Sequence, residues 1–187
     1  MFIHTETTPN PATLKFLPGK PVLPEGTLDI RDIKSAARSP LAQALFDIEG
    51  VTGVFYGTDF VTVTKSDNTD WQGLKPAVLG TIMEHFTSGA PLLAPNKTSD
   101  GAETDEFFSA DDIEIVDTIK DLIETRVRPA VAADGGDITF KGFRDGTVYL
   151  AMKGSCQGCP SSTATLKHGI QNLLQHFIPE VRAVEQI

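Results

Sequence analysis

The chain has 187 residues, a formal net charge of −9, 40% apolar and 22% charged residues, and two cysteines. This length can bury one large core or two small ones, and an acidic chain with no stripe of Lys and Arg excludes a partner held through phosphate neutralisation. No apolar run nears the roughly 20 residues of a membrane-spanning helix, and two cysteines are too few for the disulfide framework of a secreted mini-protein.

The N-terminus, M-F-I-H-T-E-T-T-P-N-P, has neither the basic start nor the apolar run of a secretory signal. It is also too acidic and too poor in Arg for an organelle transit peptide, so a cytoplasmic protein is expected. Phe2 to Thr5 and Thr13 to Phe16 are short strand candidates, separated by the proline turn Thr8-Pro9-Asn10-Pro11. Ser39 followed by Pro40 marks a helix start. Leu41, Leu45 and Ile48 give that helix its apolar face, and Gly50 its end. Val51 to Tyr56 and Phe60 to Lys65 form a hairpin around Gly57-Thr58-Asp59. A second helix takes Trp71, Leu74, Val78, Ile82 and Phe86 on one face; Pro76 suits a first turn, which puts its start near Leu74.

Composition then changes. Gly89 to Ala110 has Pro, Gly and small polar residues with four acids in its second half, and no period survives. It is expected to be a flexible acidic linker between domains at 1–88 and 111–187. In the second domain Ser109 caps a helix with Asp111 and Asp112 in its first turn. Val116, Ile119, Ile123 and Val127 are its apolar face and Pro129 its stop. Strands follow at Ile138 to Phe143 and Thr147 to Met152, joined at Asp145-Gly146. A last helix buries Leu166, Ile170, Leu173, Leu174 and Phe177 and ends at Pro179, and Val181 to Val184 supply a final strand. The expected class is α+β, two small domains, the C-terminal one in the order α-β-β-α-β.

Both cysteines fall in G-S-C-Q-G-C-P-S-S, Gly154 to Ser162, between the second strand and the last helix. Cys159 stands just ahead of Pro160, which belongs to a first helical turn. The helix dipole and free N–H groups are expected to lower the thiol pKa there, and the loop is expected to present exposed, deprotonated sulfur. Gly154 and Gly158 let the backbone approach whatever the sulfurs hold. Three completions of the pair are open: a dithiol–disulfide switch within one chain, a metal site, or an inert buried pair. A zinc or iron–sulfur site needs four ligands. His168 is roughly 13 Å along the helix from Cys159 and His176 farther, so neither reaches the loop. His4 and His85 belong to the other domain. The lack of local partners favours a site shared across a two-fold axis, where two chains bring four thiolates.

A-D-G-G-D-I, Ala133 to Ile138, followed by the cysteine loop, resembles the C-terminal NifU domain, an iron–sulfur cluster scaffold and carrier module. T-P-N-P-x-x-L-K-F, Thr8 to Phe16, with its flanks, resembles the Nfu N-terminal domain. The resemblance covers nearly the whole chain apart from the linker. It implies that Cys156 and Cys159 of two subunits hold a bridging 4Fe–4S cluster, which is passed to apo-proteins after delivery by an upstream donor. The chain lacks the further scaffold and ferredoxin-like domains of nitrogen-fixation NifU and is similar to the shorter Nfu-type carrier, which pointed to a bacterial cytosolic protein. A thiol–disulfide oxidoreductase is the competing reading.

Asp134 and Asp137 flank a Gly-Gly turn and are expected to aim the first strand of that domain, with no fixed convergence on a metal. Trp71, Phe86 and the Phe107-Phe108 pair are expected in cores or docking contacts. No Ser-His-Asp set, phosphate-cradling loop or H-E-x-x-H motif occurs, which argues against an enzyme.

Overall fold

In the computed structural model, residues 1–94, 106–157 and 160–187 are described. Chain contacts divide the molecule into two units, Met1–Thr98 and Ser99–Ile187. Half of the segment expected as a linker, residues 95–105, lies outside the described residues.

The first unit is a five-stranded antiparallel sheet with helices on one face. Its strands are β1 (His4–Thr7), β2 (Thr13–Leu17), β3 (Leu28–Ile30), β4 (Val51–Tyr56) and β5 (Val61–Lys65), in the spatial order β1-β2-β5-β4-β3. The turn between β1 and β2 is tied by Asn10, whose Oδ1 accepts from Ala12 N at 3.0 Å, and whose carbonyl accepts from Thr13 N at 3.0 Å. Phe16, Val54, Tyr56, Val61 and Val63 turn one face toward helices α2 (Pro40–Phe46) and α3 (Trp71–Ser88), which supply Leu41, Leu45, Leu74, Val78 and Ile82. Ser39 starts α2 as its sequence predicts, its Oγ accepting from Ala42 N at 3.2 Å. The same hydroxyl sits 2.8 Å from the Tyr56 hydroxyl in the buried core.

Three features of this unit differ from the sequence reading. β3 and the one-turn helix α1 (Ile33–Ala36), capped by Asp32, are too short to show a period. β1 lies two residues later than expected. α3 begins at Trp71, so Pro76 stands inside the helix and leaves the Gln72 carbonyl without its usual donor. The early start is held by Trp71, whose Nε1 donates to Pro11 O at 3.1 Å, so the proline turn between β1 and β2 anchors the first turn of α3.

The second unit packs helices against a three-stranded sheet of β6 (Gly136–Arg144), β7 (Thr147–Gly154) and β8 (Ala183–Gln186), in that order. β6 and β7 are an antiparallel hairpin. Asp145 and Gly146 at its tip have φ of 52° and 79°, the left-handed pair a two-residue hairpin turn requires. β8 lies parallel to β7, two residues later than the expected last strand. Parallel pairing needs a crossover, and α6 (Pro160–Phe177) provides it. A register shift between Phe140 and Gly142 bulges β6, and there Phe107 pairs with Gly142: Phe107 N donates to Lys141 O at 3.0 Å and Phe143 N to Phe107 O at 2.9 Å.

The helix before β6 is also not the one expected. A single 3₁₀ turn, Ala110–Asp112, precedes α4 (Ile113–Leu122), and the Ser109 side chain makes no capping bond. Pro129 does not end the helix. A π turn at Ile123–Val127 intervenes, with Arg128 N–H reaching back to Ile123 O, and α5 (Arg128–Ala133) follows with Pro129 in its first turn. The wider turn takes a residue without an N–H where a continuous α-helix would clash. On α6, Ile170 and Leu174 are buried and Leu166 and Leu173 partly so, but Phe177 is 47% exposed, with the Arg126 guanidinium 5.2 Å from its ring centre. The expected stripe therefore stops one turn earlier.

Candidate cluster-binding site

The site is built where the turn before β6 meets the loop after β7. Gly136 and Gly154 face each other at the end of the β6–β7 ladder. Gly154, with φ of 70°, turns the chain out of β7 in a conformation that L side chains rarely adopt. Gln157 N then donates to Gly154 O at 3.1 Å. Ser155 ties the loop back to the other turn: its N donates to Gly135 O at 3.2 Å and its Oγ to Asp134 O. Thr163 Oγ1, in α6, donates to Cys156 O at 3.0 Å. The cysteine loop is thus fixed at its start to the Asp134–Gly136 turn and at Cys156 to the following helix.

Cys156 points inward. It is 6% exposed and belongs to the apolar cluster that contains Ile138, Met152 and Ile170. Its thiol fits because Gly136 has no side chain: a Cβ there would lie 2.8 Å from Cys156 Sγ and 2.7 Å from Lys153 O. The exposed, deprotonated sulfur expected of this loop is corrected here for Cys156. Burial pushes the Cys156 thiol up to about 11, with the Asp134 and Asp137 carboxylates adding in the same direction against a hydrogen bond from Ser155. The main cause is the removal of the thiolate from water. Cys159, the other expected ligand, lies outside the described residues.

Around this loop stands an ion-pair cluster whose acid Asp137 the sequence reading singled out and whose cation Arg128 it passed over. Arg128 donates from Nε to Asp137 Oδ1 at 3.0 Å and from Nη2 to Asp137 Oδ2 at 3.2 Å. Its Nη1 donates to Glu124 Oε2 at 2.6 Å. These partners raise the guanidinium's own pKa while its partial burial opposes them. The A-D-G-G-D-I stretch was the available signal, since a carboxylate beside a Gly-Gly turn in an apolar unit demands a cation. Among the described residues no three His, Cys, Asp or Glu converge as a metal would need. His168 and His176 are exposed on α6, and His85 sits in the other unit, where burial lowers its pKa.

The second unit, with a cysteine tucked between a Gly-Gly turn and a following helix, defines the class. Residues 119–185 match the family model described as NifU-like domain, and residues 3–89 match that described as scaffold protein Nfu/NifU N terminal. The chain belongs to the Nfu/NifU scaffold family. It is 54% identical over its whole length to the human NFU1 iron-sulfur cluster scaffold homolog, mitochondrial, and covers 72% of that protein. It is 50% identical over its whole length to NifU-like protein 4, mitochondrial, of Arabidopsis thaliana, covering 66% of it. A solved NifU-like protein of Saccharomyces cerevisiae aligns with 51% of this chain and 87% of its own, at 27% identity and a TM-score of 0.47. The expectation of a bacterial cytosolic protein is overturned, because relatives this similar are mitochondrial.

Proposed function

We propose that the chain is an iron–sulfur cluster scaffold and carrier that holds a 4Fe–4S cluster between two copies, through Cys156 and Cys159 of each, and passes it to apo-proteins. The observation that carries this reading is the seat of Cys156, two residues past β7 and against the Gly-Gly turn of the NifU-like domain. Its relatives named as iron–sulfur cluster scaffolds support it. So does the ligand count: among the described residues no three His, Cys, Asp or Glu converge, and a two-fold pair of chains brings four thiolates. In this reading residues 1–88 form the Nfu-type domain, 89–110 the tether and 111–187 the cluster-binding domain. The first engages an upstream donor or a recipient while the last presents the cargo.

Transfer proceeds by ligand exchange and needs no turnover of a small molecule. A recipient thiol gives up its proton and binds iron; the displaced Cys156 sulfur takes a proton and returns to the core. Burial favours that protonated form, since it holds the thiol up at about 11. Release is therefore helped by the apo fold. The same burial disfavours a thiol–disulfide oxidoreductase, whose attacking sulfur must be a thiolate near neutral pH. The test is anaerobic reconstitution with iron and sulfide, followed by native mass spectrometry of wild type and Cys156→Ser. One 4Fe–4S cluster per dimer in the wild type and none in the variant is expected. A wild-type monomer that takes up no sulfide would overturn the reading.

A further inference from the structure

Arg128 stands where the π turn hands over to α5, and the wide turn decides where its side chain goes. Its guanidinium lays two nitrogens on the two oxygens of Asp137, while a third holds Glu124 four residues back. The Asp137 side chain is 7% exposed. With the Arg128 side chain 34% exposed, a pair of this kind adds little stability over apolar residues of the same volume; what it can do is fix register. Asp137 lies opposite Lys153 in the β6–β7 ladder, and its neighbour Gly136 lies opposite Gly154. Gly136 is the residue whose missing side chain makes room for the Cys156 sulfur. A slip of this strand end by a few tenths of an ångström changes the space in which the thiol rests.

We propose that Arg128 is a positioning residue for Cys156: by clamping Asp137 it fixes Gly136, and so sets where the sulfur sits before and after it holds a cluster. Its functional meaning rests on the reading of Cys156 as a cluster ligand, but the geometry stands without a cluster. A lysine cannot replace the clamp fully, because a single ammonium lacks the fork that grips both carboxylate oxygens.

The experiment uses the full chain as wild type, Arg128→Met, Arg128→Lys, Asp137→Asn and Val148→Ala. Val148 is fully buried at the opposite end of the ladder, opposite Phe143, and serves as a control for lost stability. Each apo-protein is treated with iodoacetamide at pH 8, and fragmentation mass spectrometry reads Cys156 separately from Cys159; urea unfolding is measured in parallel. Arg128→Met and Asp137→Asn are expected to speed Cys156 alkylation about tenfold and Arg128→Lys about threefold, through local opening of the loop. Val148→Ala should stay within about twofold of wild type at a comparable loss of stability. Unchanged alkylation in Arg128→Met, or an equal increase in Val148→Ala, overturns the proposal. Should Arg128→Met not fold, Arg128→Lys and Asp137→Asn carry the same comparison against the control. Iron and sulfide per dimer are read on separate, unalkylated samples of the same proteins. A wild type that takes up neither refutes the carrier reading and leaves the thiol comparison intact.

Discussion

Gly136 and Cys156 occupy one space: a Cβ on Gly136 would stand 2.8 Å from Cys156 Sγ and 2.7 Å from the Lys153 carbonyl. The second neighbour is backbone, inside the β6–β7 ladder, and cannot swing away. Gly136→Ala is expected to cost about 1–3 kcal/mol, the range for overpacking a close-packed core. Cluster loading should fall by more than the lost stability explains if, as proposed above, the displaced group is a ligand. Thermal unfolding of the apo-protein and iron and sulfide per chain measure the two effects separately. An alanine variant with wild-type stability and loading would contradict the shared space.

The Cys156 thiol predicts a pH dependence. With its pKa pushed up by burial to about 11, the folded chain prefers the protonated form. This preference stabilises the fold fully below pH 9 and is lost as pH rises through about 11. In a Cys159→Ser background, alkylation of native apo-protein at pH 8 should be about a hundredfold slower than that of urea-unfolded protein, the ratio of thiolate populations set by the two pKa values. Equal rates would mean that the thiol is exposed in solution.

Ser39 has two duties in the first unit, capping α2 and meeting the Tyr56 hydroxyl. Ser39→Ala removes a cap and leaves a buried phenol without that partner, so about 2–3 kcal/mol should be lost. Tyr56→Phe removes the hydroxyl as well as its need for a partner and should cost about 1 kcal/mol. Urea unfolding followed on the first unit orders the two variants. The reverse order would show that the hydroxyl pair is not the main role of Ser39.

Phe107 closes the bulged edge of β6. Its ring fills the space over Gly142, lies 5.1 Å from the Tyr149 ring, and carries the Arg144 guanidinium at 5.3 Å. Phe107→Ala should lower the stability of the second unit by about 1–2 kcal/mol, less than for a fully buried phenylalanine. A C-terminal unit starting at residue 111 should show the same loss and associate through its open edge, whereas one starting at residue 106 should not. Sedimentation of the two lengths distinguishes them.

The parts of the fold legible from sequence are those with strong local chemistry. Ser39-Pro40 opens α2, Asp145-Gly146 turns the second hairpin, and the alternation at Val61 to Lys65 marks β5. β3 and α1 are three and four residues long and carry no period to read. Pro129 misled because proline normally ends a helix, and the π turn that admits it leaves no mark in the pattern of apolar residues. At the site, the sequence singles out the cysteine pair, of which Cys156 lies among the described residues. The direction of the Cys156 pKa shift was missed because an environment rich in Gly and Ser reads as exposed. Here those small residues let two turns close over the sulfur. Arg128 was missed for a related reason: its partner is nine residues away, and only the π turn brings them together.

β8 is made of residues 183–186, and Ile187 N donates to Leu150 O at 3.0 Å. The strand that lies on β7, and so closes the crossover begun at the cysteine loop, follows that loop in the chain and is made after it. While a ribosome still holds those residues in its exit tunnel, β7 lacks its parallel neighbour and α6 has nothing to lead into. Domains fold as units, N-terminal ones first during synthesis, so the first unit can be complete while the thiol seat is still open. The thiol seat therefore settles only once residues 183–186 have left the ribosome, and a chain truncated before residue 183 would have its cysteines but no settled place to keep them.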